Sequence, residues 1–211
     1  MKKVKSMVLM AALVSGVGAA AENPLWLRNA AISPDGKTVA FTYKGDIFTV
    51  PVTGGQARQM TTSKEYDSAP MWAPDGKRIV FTSNRLGSDD IYIIPAQGGT
   101  ARRLTTYVGT ETPLTFLPDG RLLFSANIMP GRTTAQAPFG NQMYVIDTEI
   151  DSPRPELYLS VPALSASANA EGKILYQDKK GFENIWRKHE RSSGTSDVWM
   201  VDPAGNFTQL T

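Results

Sequence analysis

From Trp26 to the end of the chain, short apolar bursts alternate with polar turns. Thr38-Val39-Ala40-Phe41-Thr42 follows the turn Pro34-Asp35-Gly36. The same pairing returns at Pro74-Asp75-Gly76 with Arg78-Ile79-Val80-Phe81-Thr82, and at Pro118-Asp119-Gly120 with Leu122-Leu123-Phe124-Ser125. The three prolines lie 40 and 44 residues apart, the period of a four-stranded propeller blade. In the first repeat the pattern predicts strands at 27–33, 38–43, 46–51 and 57–60. The third strand of each repeat reads Asp46-Ile47-Phe48, Asp90-Ile91-Tyr92, Gln142-Met143-Tyr144 and Asp197-Val198-Trp199. A polar residue precedes an aromatic at a fixed offset, so Phe48, Tyr92, Tyr144 and Trp199 are expected at equivalent positions between adjacent blades. Each would contribute about 2–3 kcal/mol when buried.

The predicted fold class is therefore all-β: a β-propeller of four-stranded blades, about four of them present, at approximately 26–62, 66–106, 112–160 and 164–211. Pro-Asp-Gly suits the first turn because Pro fixes φ, Asp bonds the local backbone and Gly carries no Cβ. The fourth repeat replaces it by Ala170-Glu171-Gly172. Between third and fourth strands, Gly54-Gly55 and Gly98-Gly99 mark hairpins. Two longer excursions, 128–141 and 177–196, both fall between second and third strands, so they are expected on one face, where loops commonly bind partners.

The amino terminus changes the picture of charge. Lys2, Lys3 and Lys5 precede an apolar run from Met7 to Val17 and then Ala19-Ala20-Ala21, the three regions of a secretory signal peptide spanning 1–21. The whole chain has 22 basic and 20 acidic residues. With three lysines in the leader, the rest is close to neutral, which gives no reason to expect nucleic acid or, after cleavage, a membrane as partner. The chain has no cysteine, so no disulfide is expected, and the expected location is the bacterial periplasm or the medium. Met60-Thr61, Leu104-Thr105 and Leu210-Thr211 recur at the ends of outer strands. The propeller is accordingly expected to be incomplete, with further blades beyond residue 211.

Candidate chemistry is sparse. Asp35, Asp75 and Asp119 occur once per blade, so a propeller spreads them around a circle instead of gathering them at one ion, and no metal or cofactor is expected. Neither a Gly-x-Ser-x-Gly elbow nor a cysteine nucleophile is present. His189, the only histidine, lies among Arg187, Lys188, Glu190 and Arg191. Arg187, Lys188, His189 and Arg191 could receive a carboxylate of a peptide or partner. They form the only candidate contact set, and no catalytic residue is assigned.

The repeat, with Phe81-Thr82-Ser83-Asn84-Arg85-Leu86-Gly87, Asp90-Ile91-Tyr92, Gly98-Gly99 and Arg103-Leu104-Thr105, resembles blades shared by TolB, prolyl-oligopeptidase-type peptidases and tricorn-type proteases. The stretch from Tyr176-Gln177-Asp178 through Gly181-Phe182-Glu183-Asn184-Ile185-Trp186 to His189 is more specific. It is similar to tricorn-like members of the S41 serine peptidases. That resemblance implies an exported N-terminal propeller that admits peptides or unfolded protein to a serine peptidase centre in a separate C-terminal region beyond residue 211, with homo-oligomers possible. Two other readings stay open: a TolB-like, non-enzymatic interaction propeller, and the propeller of a prolyl-oligopeptidase-type enzyme.

Overall fold

The computed structural model of the chain describes residues 26–128, 141–178 and 196–211. Among these residues, sixteen strands form four antiparallel sheets, each in simple meander order. Blade 1 comprises β1 (Arg28–Ile32), β2 (Thr38–Tyr43), β3 (Asp46–Pro51) and β4 (Arg58–Gln59). Blade 2 comprises β5 (Asp67–Trp72), β6 (Arg78–Ser83), β7 (Asp90–Pro95) and β8 (Arg102–Arg103). Blade 3 comprises β9 (Thr112–Phe116), β10 (Leu122–Ala126), β11 (Gln142–Ile146) and β12 (Glu156–Leu159). Blade 4 comprises β13 (Ala163–Ala168), β14 (Ile174–Asp178), β15 (Val198–Val201) and β16 (Phe207–Gln209). The all-β propeller expected from the repeat is what the chain adopts. In blade 1 the outer strand is shorter than the pattern suggested, two residues in place of 57–60.

The first strands of successive blades pack against one another, so they line the inside of the arc. Each of these four strands carries one extra residue relative to its partner. Such bulges bend and twist a strand, and two of them use a non-glycine residue at positive φ, Asn29 and Ala69, both at 51°. Repeat sequence alone did not announce these bulges.

Blade-to-blade packing follows one rule. The second- and third-strand aromatics of each following blade face the preceding blade. Phe81 and Tyr92 pack with Ala40, Ile47 and Met60 of blade 1. Phe124 and Tyr144 pack with Val80, Ile91, Ile93 and Leu104 of blade 2. Tyr176 and Trp199 pack with Leu123, Met143 and Val145 of blade 3. Within the blades the rings pair, Phe81 with Tyr92 at 5.8 Å and Phe124 with Tyr144 at 5.9 Å between centroids. Tyr92, Tyr144 and Trp199 thus occupy the inter-blade positions expected of them. Phe48 does not: it stacks on Phe41 at 5.9 Å on a face that no other described blade covers. The correction has a simple cause, since the aromatic face looks backwards along the chain and blade 1 has no described predecessor.

The two ends of the arc are therefore different from its middle. In β6 and β7 both faces are buried, whereas β2, β3 and β14 bury one face each. No packing of blade 4 on blade 1 comparable to the three internal junctions is present among the described residues.

Candidate functional site

Antiparallel meanders send the loops of every blade to two opposite ends. One end holds the turns between first and second strands, and these are closed by their own side chains. Asp35 Oδ1 accepts the Ser33 hydroxyl at 2.6 Å and the Lys37 N–H at 3.1 Å. Asp75 accepts from Lys77 N–H at 2.9 Å and pairs with Arg78 at 3.0 Å. Asp119 accepts from Arg121 N–H at 3.0 Å and pairs with its guanidinium at 2.8 Å. The Ser33 hydroxyl, then the Lys37 N–H, holds the Asp35 carboxyl below the usual range. In blade 4 the role passes to Asn169, whose Oδ1 accepts from Glu171 and Lys173 N–H at 3.0 and 2.9 Å. These aspartates are turn residues, and among the described residues no group of His, Cys, Asp or Glu is arranged to hold a metal ion.

The other end carries the second-to-third-strand connections and the links from each blade to the next. Here the recurrent threonine has a defined task. The hydroxyl oxygens of Thr61, Thr105 and Thr211 accept the N–H groups of Ile47, Ile91 and Val198 at 2.9, 2.8 and 2.8 Å. Each ties the start of a third strand to the end of the outer one.

Blade 2 adds buried ions to this end. Asp67, fully buried, receives Arg85 Nη2 at 3.0 and 2.9 Å through its two oxygens. The Arg85 guanidinium also lies 4.4 Å from the Tyr92 ring centroid and 5.5 Å from that of Phe81. Asp90, also fully buried, pairs with Arg103 at 2.8 Å. Sequence reading placed Asp90, Arg85 and Arg103 in the repeat but missed this pairing, because the partners lie 13 and 18 residues apart and meet only across strands. On the loops of this same end Tyr66, Leu86, Tyr107 and Val108 are exposed and give it an apolar rim.

A third feature is the uncovered face of blade 1. Val39, Phe41, Phe48 and Val50, with Leu27 and Ala57, line a cleft of about 630 Å³. Their counterparts in blade 2, Ile79, Phe81, Tyr92 and Ile94, are at most 3% exposed. On blade 4 the opposite face is open: Leu175, Val198 and Leu210 are 44, 37 and 52% exposed. Both surfaces are apolar and can accept another β-sheet or an apolar peptide.

Arg187, Lys188, His189 and Arg191, the candidate contact residues from the sequence, lie outside the described residues, as do the leader and most of both excursions. The structure brings forward instead the buried ion pairs of blade 2 and the apolar rim beside them.

The family model described as the tricorn protease N-terminal β-propeller domain matches residues 24–211. Over 68 residues the chain is 41% identical to dipeptidyl-peptidase 5 of Porphyromonas gingivalis, a match covering 28% of this chain and 10% of that protein. Among solved structures, a putative TolB from Agrobacterium tumefaciens superimposes with a TM-score of 0.68 at 17% identity, over 90% of this chain and 63% of that one. The tricorn protease gives 0.65 at 21% identity, over 90% of this chain and 18% of its own. The chain thus spans only a small part of the peptidases it matches, and at these identities the structural likenesses speak to fold alone. The match from residue 24 to residue 211 carries the assignment: the chain belongs to the tricorn protease N-terminal β-propeller family.

Proposed function

We propose that this chain is the peptide-binding, substrate-gating propeller of an exported tricorn-like S41 serine peptidase whose catalytic groups lie outside these residues. The observation that carries the proposal is the family match from residue 24 to residue 211. The partial likeness to a dipeptidyl-peptidase agrees with it. In this reading peptides or unfolded protein approach the end that bears Tyr66, Leu86, Tyr107 and Val108, with Arg187, Lys188, His189 and Arg191 available to a peptide carboxylate. The open faces of blades 1 and 4 are covered by sheet from the remainder of the parent. Export rests on the basic, apolar and small-residue regions of 1–21.

A second reading, a TolB-like interaction propeller without an enzymatic partner, is favoured by the greater share of the TolB chain that superimposes. The two differ in the size of the native product. Fractionated cells are probed with an antibody raised against residues 177–196. A periplasmic band on the order of 100 kDa, several domains in size, supports the peptidase reading. A band of only some 200 residues refutes it in favour of the interaction propeller.

A further inference from the structure

The link between β8 and β9 encloses a carboxyl group that the blade core does not require. Glu111 is 1% exposed. Its Oε1 accepts the Tyr107 N–H at 3.2 Å, and its Oε2 has no hydrogen-bonding partner. The Glu111 N–H donates to the Asp89 carbonyl at 2.9 Å, and the Ser88 hydroxyl donates to the Tyr107 carbonyl at 3.3 Å. The side chain of Glu111 and the hydroxyl of Ser88 therefore both fasten Tyr107. Tyr107 is 38% exposed and Val108 97%, so this fastening sets the position of an apolar tip on the rim.

The charges around Glu111 do not balance. From β7 comes the buried Asp90, and from β8 comes Arg103, already paired with Asp90 at 2.8 Å. The Tyr92 hydroxyl, on β7, has no partner. Beyond that ring, Arg85 is held by Asp67. From blade 3, Thr112 and Pro113 of β9 are not ionisable, and the Tyr144 hydroxyl donates to the Ile128 carbonyl at 2.7 Å. Two buried carboxyl groups thus share one guanidinium, and the cheaper way to remove the excess negative charge is to bind a proton.

We propose that Glu111 is a proton-operated latch: as the neutral acid it stays seated beneath Tyr107 and holds the 105–111 link, and as the carboxylate it leaves the junction of blades 2 and 3 and frees the tip bearing Tyr107 and Val108. Proton loss converts the carboxylic acid to a carboxylate, and the proton goes to solvent. Burial, reinforced by the Asp90 charge, pushes the Glu111 carboxyl up to about 7 against an ordinary 4.5, while the Thr105 hydroxyl, the Tyr107 N–H and Arg103 pull the other way. A carboxyl raised in the folded state binds more protons folded than unfolded. Its stabilising effect is complete below about 4.5 and lost as pH rises through about 7. The switch therefore operates between about 4.5 and 7, and the rim is at its loosest from neutrality upwards.

Amide hydrogen exchange at residues 107–112 of the purified chain, corrected for intrinsic rates, tests this between pH 5.5 and 8.5. The opening equilibrium should rise towards tenfold per pH unit at the acid end of this range and level off above about 7. Glu111→Gln, which keeps the shape and cannot ionise, should hold the link closed throughout. Equal pH profiles in the two proteins overturn the proposal. Should Glu111→Gln fail to fold, a carboxyl-carbon NMR titration of the wild type decides: a Glu111 midpoint in the ordinary glutamate range overturns the proposal. So does a midpoint near neutrality without accompanying exchange at Tyr107.

Discussion

Phe41 and Phe81 are the same residue at the same position of successive blades, and each pairs with a third-strand ring at nearly the same spacing, 5.9 and 5.8 Å. What differs is the blade in front. Phe81 is fully buried against blade 1, so Phe81→Ala removes the whole ring from a packed junction and should cost about 3–5 kcal/mol. Phe41 lies half-buried on the lining of the 630 Å³ cleft. Its removal forfeits only the contacts within blade 1, worth about 1 kcal/mol at roughly 25 cal/mol per Å² of buried apolar area. The assay is urea unfolding followed by tryptophan fluorescence, at protein concentrations low enough to suppress association, with m-values compared to exclude a change of unfolding mechanism. Because a domain is stable by only about 5–15 kcal/mol, Phe81→Leu serves as the graded version and should lose about 1 kcal/mol. Equal losses at Phe41 and Phe81 would refute the reasoning, since they would mean that the blade 1 face is covered in solution.

Arg85→Met should destabilise by about 3–5 kcal/mol by leaving Asp67 buried and charged, whereas the double variant with Asp67→Leu should recover most of that loss; additive losses in the thermal-melt cycle would contradict the pairing. Thr105→Val leaves the buried Ile91 N–H without its acceptor and should cost about 1–3 kcal/mol, read by denaturant titration, with Thr211→Val costing less because that site is exposed. Sedimentation of the purified chain should show concentration-dependent association that Phe48→Glu weakens, and a monomer at every concentration would count against the open faces being adhesive. The same preparation should turn over no peptide substrates, and hydrolysis blocked by a serine-directed inhibitor would show that the active centre lies within these residues after all.

The fold was legible because its signals are local and repeated. Pro-Asp-Gly sets a turn within four residues, Gly54-Gly55 and Gly98-Gly99 set another, and apolar strands between them have few other ways to pair. Where the motif lapsed in blade 4, Asn169 took over the carboxylate's backbone contacts, so the turn survived a change that looked like decay. What could not be read was everything that depends on which strand stands opposite which. The Asp67–Arg85 and Asp90–Arg103 pairs, the bulges at Asn29 and Ala69, and the burial of Glu111 arise from register and from the approach of neighbouring blades. Charge and spacing in the sequence are equally compatible with solvated surface residues. The aromatic offset lies between these cases: it located the inter-blade position correctly, but only topology decides which blade each ring faces, and that is why Phe48 differs from Tyr92.

The open faces bear most directly on function. Val39, Phe41 and Phe48 match the chemistry of Ile79, Phe81 and Tyr92, which are at most 3% exposed. Leu175 and Val198 likewise correspond to Val80 and Ile91, which are fully buried. A surface selected for water would carry polar residues on such strands, as antiparallel sheets with one solvated face do. These strands instead retain the composition of internal junctions. Continuous apolar faces of this kind on soluble proteins mark contact surfaces. The physical chemistry of blades 1 and 4 therefore marks both terminal faces as contact surfaces, able to take another sheet or an apolar peptide.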